Sequence, residues 1–160
     1  IAMDLSDEKL EFAQRFGATH TVNASDGDPV EAIRILTDGG VEFAIDAIGA
    51  PSTQEQILHA ARPGVVGLRK GGTACLVGAV QTQGRIDVEE LRISQRTYTG
   101  TRGSASRPDR DFPIYLRWFQ EGKLDLNGMV TKRYTLDQIN DAVDDLTAGR
   151  ITGRSIIVYD

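Results

Sequence analysis

The residues best suited to chemistry in this chain stand at the ends of short apolar runs. Asp4 follows Ile1–Met3, and Lys9 lies five positions on. Later runs end in small residues, at Ile48-Gly49, Val77-Gly78-Ala79 and Gly100-Thr101. A carboxylate at a strand tip can accept hydrogen bonds from both hydroxyls of an adenosine ribose. It would repel a 2′-phosphate, which favours NAD over NADP. A lysine on the following helix could reach the same sugar, and small tip residues let a flat ligand approach the backbone. Two other readings of Asp4 stand beside this one. Methyltransferases use the same strand-plus-acid pattern to hold the ribose of S-adenosylmethionine, and acids also open helices with no ligand at all.

The remaining reactive side chains do not assemble into a catalytic pattern. His20, His59 and Cys75 lack metal-ligand spacing with one another. Cys75 falls inside the apolar run Gly71–Ala79 and reads as an inert core residue. A lone cysteine also rules out an internal disulfide. The acid pairs Glu89-Glu90 and Asp144-Asp145 read as solvated charges on polar helix faces. Tyr98 and Tyr134 have no lysine at a three- or four-residue helical spacing and read as packing residues. No catalytic residue and no metal ligand is assigned.

Composition sets the class. A chain of 160 residues with 40% apolar and 26% charged residues suits one globular domain with a real core. A net charge of -5 argues against a nucleic-acid partner. The absence of a long apolar span or secretory signal argues against a membrane role and for the cytoplasm.

The elements that must position Asp4 and the tips alternate between strand and helix. After Asp4, Ser6 caps a helix whose apolar face is Leu10, Ala13 and Phe16, stopped at Gly17. Thr19–Ala24 is a strand. Asp28 with Pro29 starts the next helix, which ends at Gly39-Gly40. Val41–Ala50 reads as a strand covered on both faces, Pro51–Ala61 as a helix and Gly71–Ala79 as a buried strand. A short helix at Val88–Ile93, a strand at Arg96–Thr101 and a helix within Asp111–Leu126 follow. Thr135 with Gln138 forms a capping box for a helix ending at Gly149, and Arg154–Asp160 is a last strand. This alternation predicts an α/β fold, a Rossmann-like doubly wound parallel sheet.

A dinucleotide fold needs a glycine-rich turn about 20 residues before its ribose acid. Only three residues precede Asp4. Neither Gly64–Gly72 nor Gly100–Ser106 joins a strand to a helix in the required way. The expectation is therefore a sheet lacking its first strand and glycine-rich loop, with Ile1 an artificial or processed start.

Taken in order, "DLSDEKLEFAQRFGATHTVNA", "GGVEFAIDAIG", "GGTACLVGA", "YTGTRGSA", "KRYTLDQINDAVDDLTAGR" and "RSIIVYD" resemble the C-terminal part of zinc-dependent alcohol dehydrogenases of the medium-chain dehydrogenase/reductase superfamily. The resemblance covers essentially the whole chain. It implies a partial NAD-binding Rossmann domain plus a C-terminal segment over residues 1–160, without the N-terminal zinc-binding barrel domain. It implies NAD as cofactor, zinc in the parent enzyme with ligands outside this chain, and a small alcohol or carbonyl substrate. By position, Asp4 matches the ribose-binding acid and Lys9 a lysine near the same sugar. Leu5 and Ile48 match apolar residues flanking adenine, and Val77 and Thr101 match positions whose backbone lines the nicotinamide carboxamide. Arg154 matches an arginine that reaches the pyrophosphate. Two departures stand out: Ala60–Gly72 is longer than the usual connection, and Gly100–Ala105 is a residue shorter than in many relatives. The resemblance also implies a homodimer paired through the edge strand near Arg96–Ser104, or a homotetramer. A zinc-free quinone reductase, whose preference for NADPH the acid at Asp4 opposes, and an inactive nucleotide-binding fragment are the alternatives.

Overall fold

The structure, a computed structural model, describes residues 1–80, 82–102 and 105–159. In chain order its elements are β1 (Ala2–Asp4), α1 (Asp7–Arg15), β2 (Thr21–Asn23), α2 (Pro29–Leu36), β3 (Phe43–Asp46), α3 (Pro51–Ala60), β4 (Thr73–Leu76), α4 (Val88–Ile93), β5 (Thr97–Gly100), α5 (Pro108–Gln120), β6 (Val130–Thr135), α6 (Ile139–Thr147) and β7 (Arg154–Val158). Every strand pairing among these elements is parallel, as the alternation requires. Hydrogen bonds join the strands into sheets β1-β2, β3-β4-β5 and β6-β7. β1 and β3 each keep one edge without a neighbouring strand among the described residues. The chain divides into two compact units, residues 1–23 with 107–160, and residues 24–106.

In the first unit, β1 and β2 pair from Ala2↔Thr21 to Asp4↔Asn23. Ser6 caps α1 with extended backbone, its hydroxyl accepting from Lys9 N. Asp7 and Glu8 complement the positive helix end, and Leu10 is the buried residue of the inner face. β6 is not among the elements expected from the sequence. Its Lys132-Arg133 centre hides the strand in the sequence, but it supplies the partner of β7, from Val130↔Arg154 to Thr135↔Val158. The Thr135–Gln138 capping box forms as expected, on a 3₁₀ turn, Leu136–Gln138, that leads into α6. Helix α5 starts at Pro108, earlier than expected, because Arg107 N donates to the Asp111 carboxylate at 2.8 Å and closes the first turn.

In the second unit, Asp28 caps α2 through bonds to Val30 N and Glu31 N, with Pro29 at the first helical position. Ala44, Ile57, Ala60 and Ala74 form the core between α3 and the β3-β4-β5 sheet, with Ile33, Val41 and Tyr98 packed on it. The opposite face of β3 corrects an expectation. Phe43 and Ile45 are 74% and 66% exposed, so β3 is covered on one face and not on both. Alternation places these two on the side away from α3. The lengthened connection before β4 folds into a tight turn, with Val65 and Arg69 exchanging backbone hydrogen bonds. The expected edge segment ends in Gly103 and Ser104, and the last strand in Asp160; these three lie outside the described residues.

Candidate functional site

Each residue singled out at a strand tip stands at the carboxyl end of a parallel strand of its own unit. Asp4 is the last residue of β1. Its Oδ1 accepts from Leu5 N at 2.8 Å and Ser6 N at 3.1 Å. One carboxylate oxygen is thus fixed by the turn into α1, and Oδ2 has no hydrogen-bond partner among the described residues. The helix-opening reading of Asp4 and the ligand reading are therefore compatible: one oxygen orders the turn while the other is left to accept. Leu5 is exposed and Lys9 half-buried on the first turn of α1. Arg154 opens β7 in the same unit, exposed, with Nη1 donating to Gly153 O.

The second unit brings Ile48, Val77 and Thr101 to one end of its sheet. Val77 and Thr101 directly follow β4 and β5, and Ile48 lies two residues past β3. Val77 N and Gly78 N donate to Asp46 O at 2.8 and 2.9 Å, and Thr101 N to Leu76 O at 3.0 Å. The tips touch: a Cβ on Gly49 would come within 2.5 Å of Ala79 O, and one on Gly78 within 2.5 Å of Gly49 N. Only glycine permits this approach, and Gly49 also has a left-handed φ of +85°. The Thr101 hydroxyl oxygen is buried without a hydrogen-bond partner among the described residues. Small, closely approached tips and an unsatisfied polar atom suit a flat ligand that carries hydrogen-bonding groups.

Asp46 is the organising residue that sequence reasoning missed. It is 3% exposed. Its Oδ1 accepts from Ile48 N and Gly49 N at 2.8 and 2.9 Å, and its Oδ2 from the Thr53 hydroxyl at 2.9 Å. The signal was an acid inside the apolar run "VEFAIDAIGA", where a charge is tolerated only with several donors. Gln54, also buried, donates to Gly49 O at 2.7 Å and Thr82 O at 3.2 Å and accepts from Gly84 N at 3.1 Å. It ties the β3–α3 turn to the loop after β4. Ile48, Gly49, Ala50, Pro51 and Thr82 line a cavity of about 150 Å³ at this point.

Two expectations about charge are corrected. Glu90 is not a free solvated charge: it pairs with the buried Arg96 and accepts from the Ser94 hydroxyl at 3.0 Å. Burial opposes its ionisation, but the bonds from Arg96 and Ser94 hold its carboxyl below the ordinary value. Asp145 likewise bonds Lys132, the Tyr134 hydroxyl at 2.5 Å and Arg150 Nε at 2.8 Å. Those three bonds, Lys132 first, hold its carboxyl far below the ordinary range. Glu89 pairs with Arg92 on the exposed face of α4. Cys75 is half-buried, not a fully buried core residue. Tyr98 and Tyr134 pack as expected, with Tyr98 donating to Gln54 O at 3.1 Å. Burial is the main cause that raises both phenols above their ordinary value. Among the described residues no three His, Cys, Asp or Glu side chains cluster so as to hold a metal ion, and no helix is long and apolar enough to cross a membrane.

The parallel strands, the crossover helices and the glycine-lined tips define an α/β protein of Rossmann-like class. Its sequence matches the family described as zinc-binding dehydrogenase over residues 1–121, and the chain belongs to that family. It is 29% identical to an alcohol dehydrogenase class-3 of Cereibacter sphaeroides, over 99% of this chain and 43% of that protein. The fold superposes on benzyl alcohol dehydrogenase from Acinetobacter calcoaceticus with a TM-score of 0.84 at 35% identity, covering 98% of this chain and 41% of that one. An alcohol dehydrogenase zinc-binding domain protein from Burkholderia ambifaria gives 0.85 at 30%, covering 99% and 41%. The chain therefore spans well under half the length of these relatives.

Proposed function

We propose that this chain is the NAD-binding part of a zinc-dependent alcohol dehydrogenase, acting in the cytoplasm on a small alcohol and its aldehyde or ketone. The observation that carries the reading is the half-used carboxylate of Asp4. One oxygen is bound to the turn, and the other is left to accept at the carboxyl end of a parallel strand. That is the chemistry a ribose diol needs. Asp4 accepts from the adenosine ribose hydroxyls and disfavours a 2′-phosphate by like charge, and Lys9 supports the same sugar. Leu5 and Ile48 pack against adenine. Backbone groups of Val77 and Thr101 receive the nicotinamide carboxamide. The Arg154 guanidinium pairs with diphosphate oxygens, for which its planar fork is suited. When bound, the nicotinamide supplies the hydride acceptor, and a zinc ion held by residues outside this chain polarises the alcohol oxygen.

The outer edge of β5, without a neighbouring strand among the described residues, supports a homodimer built through that strand; a homotetramer is the alternative assembly. The titration that tests the nucleotide reading uses the intact protein. Asp4→Ala is expected to weaken NAD binding by about 1–3 kcal/mol, the scale for losing a charged hydrogen-bond partner. Asp4→Ala should also narrow the preference for NAD over NADP. Unchanged NAD affinity in the variant removes Asp4 from the site.

A further inference from the structure

Two contacts hold the first helix of the chain against its last turn. The Thr152 hydroxyl donates to Glu8 Oε1 at 2.8 Å, between residues 144 positions apart. Beside it, Phe12 closes over Gly153. A Cβ on Gly153 would stand 2.8 Å from Phe12 Cζ, 2.8 Å from Met129 O and 2.9 Å from Thr131 Cγ2, and its φ of +96° is left-handed. From the β6 side, the Thr131 hydroxyl donates to Thr152 O at 2.5 Å, and Arg154 N donates to Met129 O at 2.8 Å. Ile151 is buried at the start of the same turn. The turn is thus clasped by β6 and by α1 together.

The position of these contacts gives them meaning. Glu8 lies in the first turn of α1, four residues after Asp4. Thr152 lies two residues before Arg154. We propose that the Glu8–Thr152 hydrogen bond, backed by Phe12 on Gly153, is a positioning latch that sets Arg154 at a fixed distance from Asp4 and so tunes affinity for the diphosphate-bearing part of the dinucleotide. This rests on the nucleotide reading of Asp4 and Arg154 given above. Asp4 is ordered by its own turn and needs no latch. Arg154 carries a long, exposed side chain whose guanidinium makes one bond among the described residues, to the neighbouring Gly153 O. Bidentate pairing of a guanidinium fork demands a specific geometry, and holding its backbone in place reduces what binding must order. Glu8 and Thr152 are positioning residues and touch no ligand.

The test measures adenosine and ADP-ribose binding by calorimetry on the intact protein and on Glu8→Ala, Thr152→Val, Glu8→Gln and Thr152→Ser. Glu8→Ala and Thr152→Val are expected to lose about three- to tenfold in ADP-ribose affinity, the scale of one net hydrogen bond, and to keep adenosine affinity. Glu8→Gln and Thr152→Ser retain an acceptor and a donor and should keep wild-type affinity for both ligands. An equal loss for adenosine, or unchanged or higher ADP-ribose affinity in Glu8→Ala, overturns the latch while leaving the nucleotide reading intact. A wild-type protein that binds neither ligand overturns the nucleotide reading, and the latch with it.

Discussion

Gly49 and Gly78 meet backbone to backbone at the ends of adjacent parallel strands, close enough that a Cβ on Gly78 would lie 2.5 Å from Gly49 N and 2.5 Å from the Ile48 carbonyl carbon. The contact sets the floor of the tips where Ile48 and Val77 stand. Asp46 fixes it from below, with its side chain on the Ile48 and Gly49 amides and its carbonyl on those of Val77 and Gly78.

Gly78→Ala should force these tips apart. The clash is with backbone, so no side chain can swing away. A cost of about 1–3 kcal/mol in denaturant unfolding is expected, the usual range for overpacking a close contact. NAD affinity should fall along with it. A variant with wild-type stability and affinity would mean that the tips are free to separate.

The buried arginine of β5's approach carries a second expectation. The Arg96 side chain is 1% exposed. Its Nε donates to Ala61 O at 2.7 Å, and its Nη1 reaches Ser94 Oγ at 3.3 Å and pairs with Glu90. Arg96→Met leaves Ala61 O without its donor and Glu90 without its cation. The expected loss is about 3–4 kcal/mol in equilibrium unfolding, the lower part of the range for breaking a buried pair because Glu90 keeps solvent contact. Glu89→Ala, which breaks the neighbouring exposed pair with Arg92, should leave the unfolding midpoint unchanged. Equal effects would mean that the two pairs are equally solvated.

Asp145 predicts a pH dependence with a definite sign. Its carboxyl is held far below its ordinary 3.8 by Lys132, Tyr134 and Arg150. A carboxyl that is more acidic in the folded state stabilises the fold above its unfolded value and loses that contribution as pH falls toward its folded value. The stability difference between wild type and Asp145→Asn should therefore be level from pH 7 to about 5 and shrink below pH 3.8. Thermal unfolding across pH 2–7 measures it. A difference that grows on acidification would contradict the assignment.

What was legible in the sequence was local. Ser6 and Asp28 announce their helices because a cap needs only a side chain and the next three amides, and the Thr135–Gln138 box is read the same way. The alternation of elements gave the parallel class, since a parallel strand must return through a crossover. What escaped depends on partners far along the chain. Strand β6 is six residues with Tyr134 alone buried, so no periodic stripe marks it until β7 pairs with it. Glu90 and Asp145 look like free surface acids until Arg96 and the Lys132–Tyr134–Arg150 group arrive beside them. Asp46 was hidden by its apolar neighbours, although its burial is what shapes the tips. Phe43 and Ile45 read as doubly buried because an apolar run cannot say which of its faces this chain covers.

The nucleotide reading stands or falls on Asp4 gripping the adenosine ribose. The most direct measurement is a crystal structure of the intact protein with NAD bound. Both ribose hydroxyls should lie within about 3.2 Å of the Asp4 carboxylate oxygens, with the amides of Leu5 and Ser6 still bound to Oδ1. A ribose seated elsewhere, with Asp4 bonded only to its own turn, would contradict it.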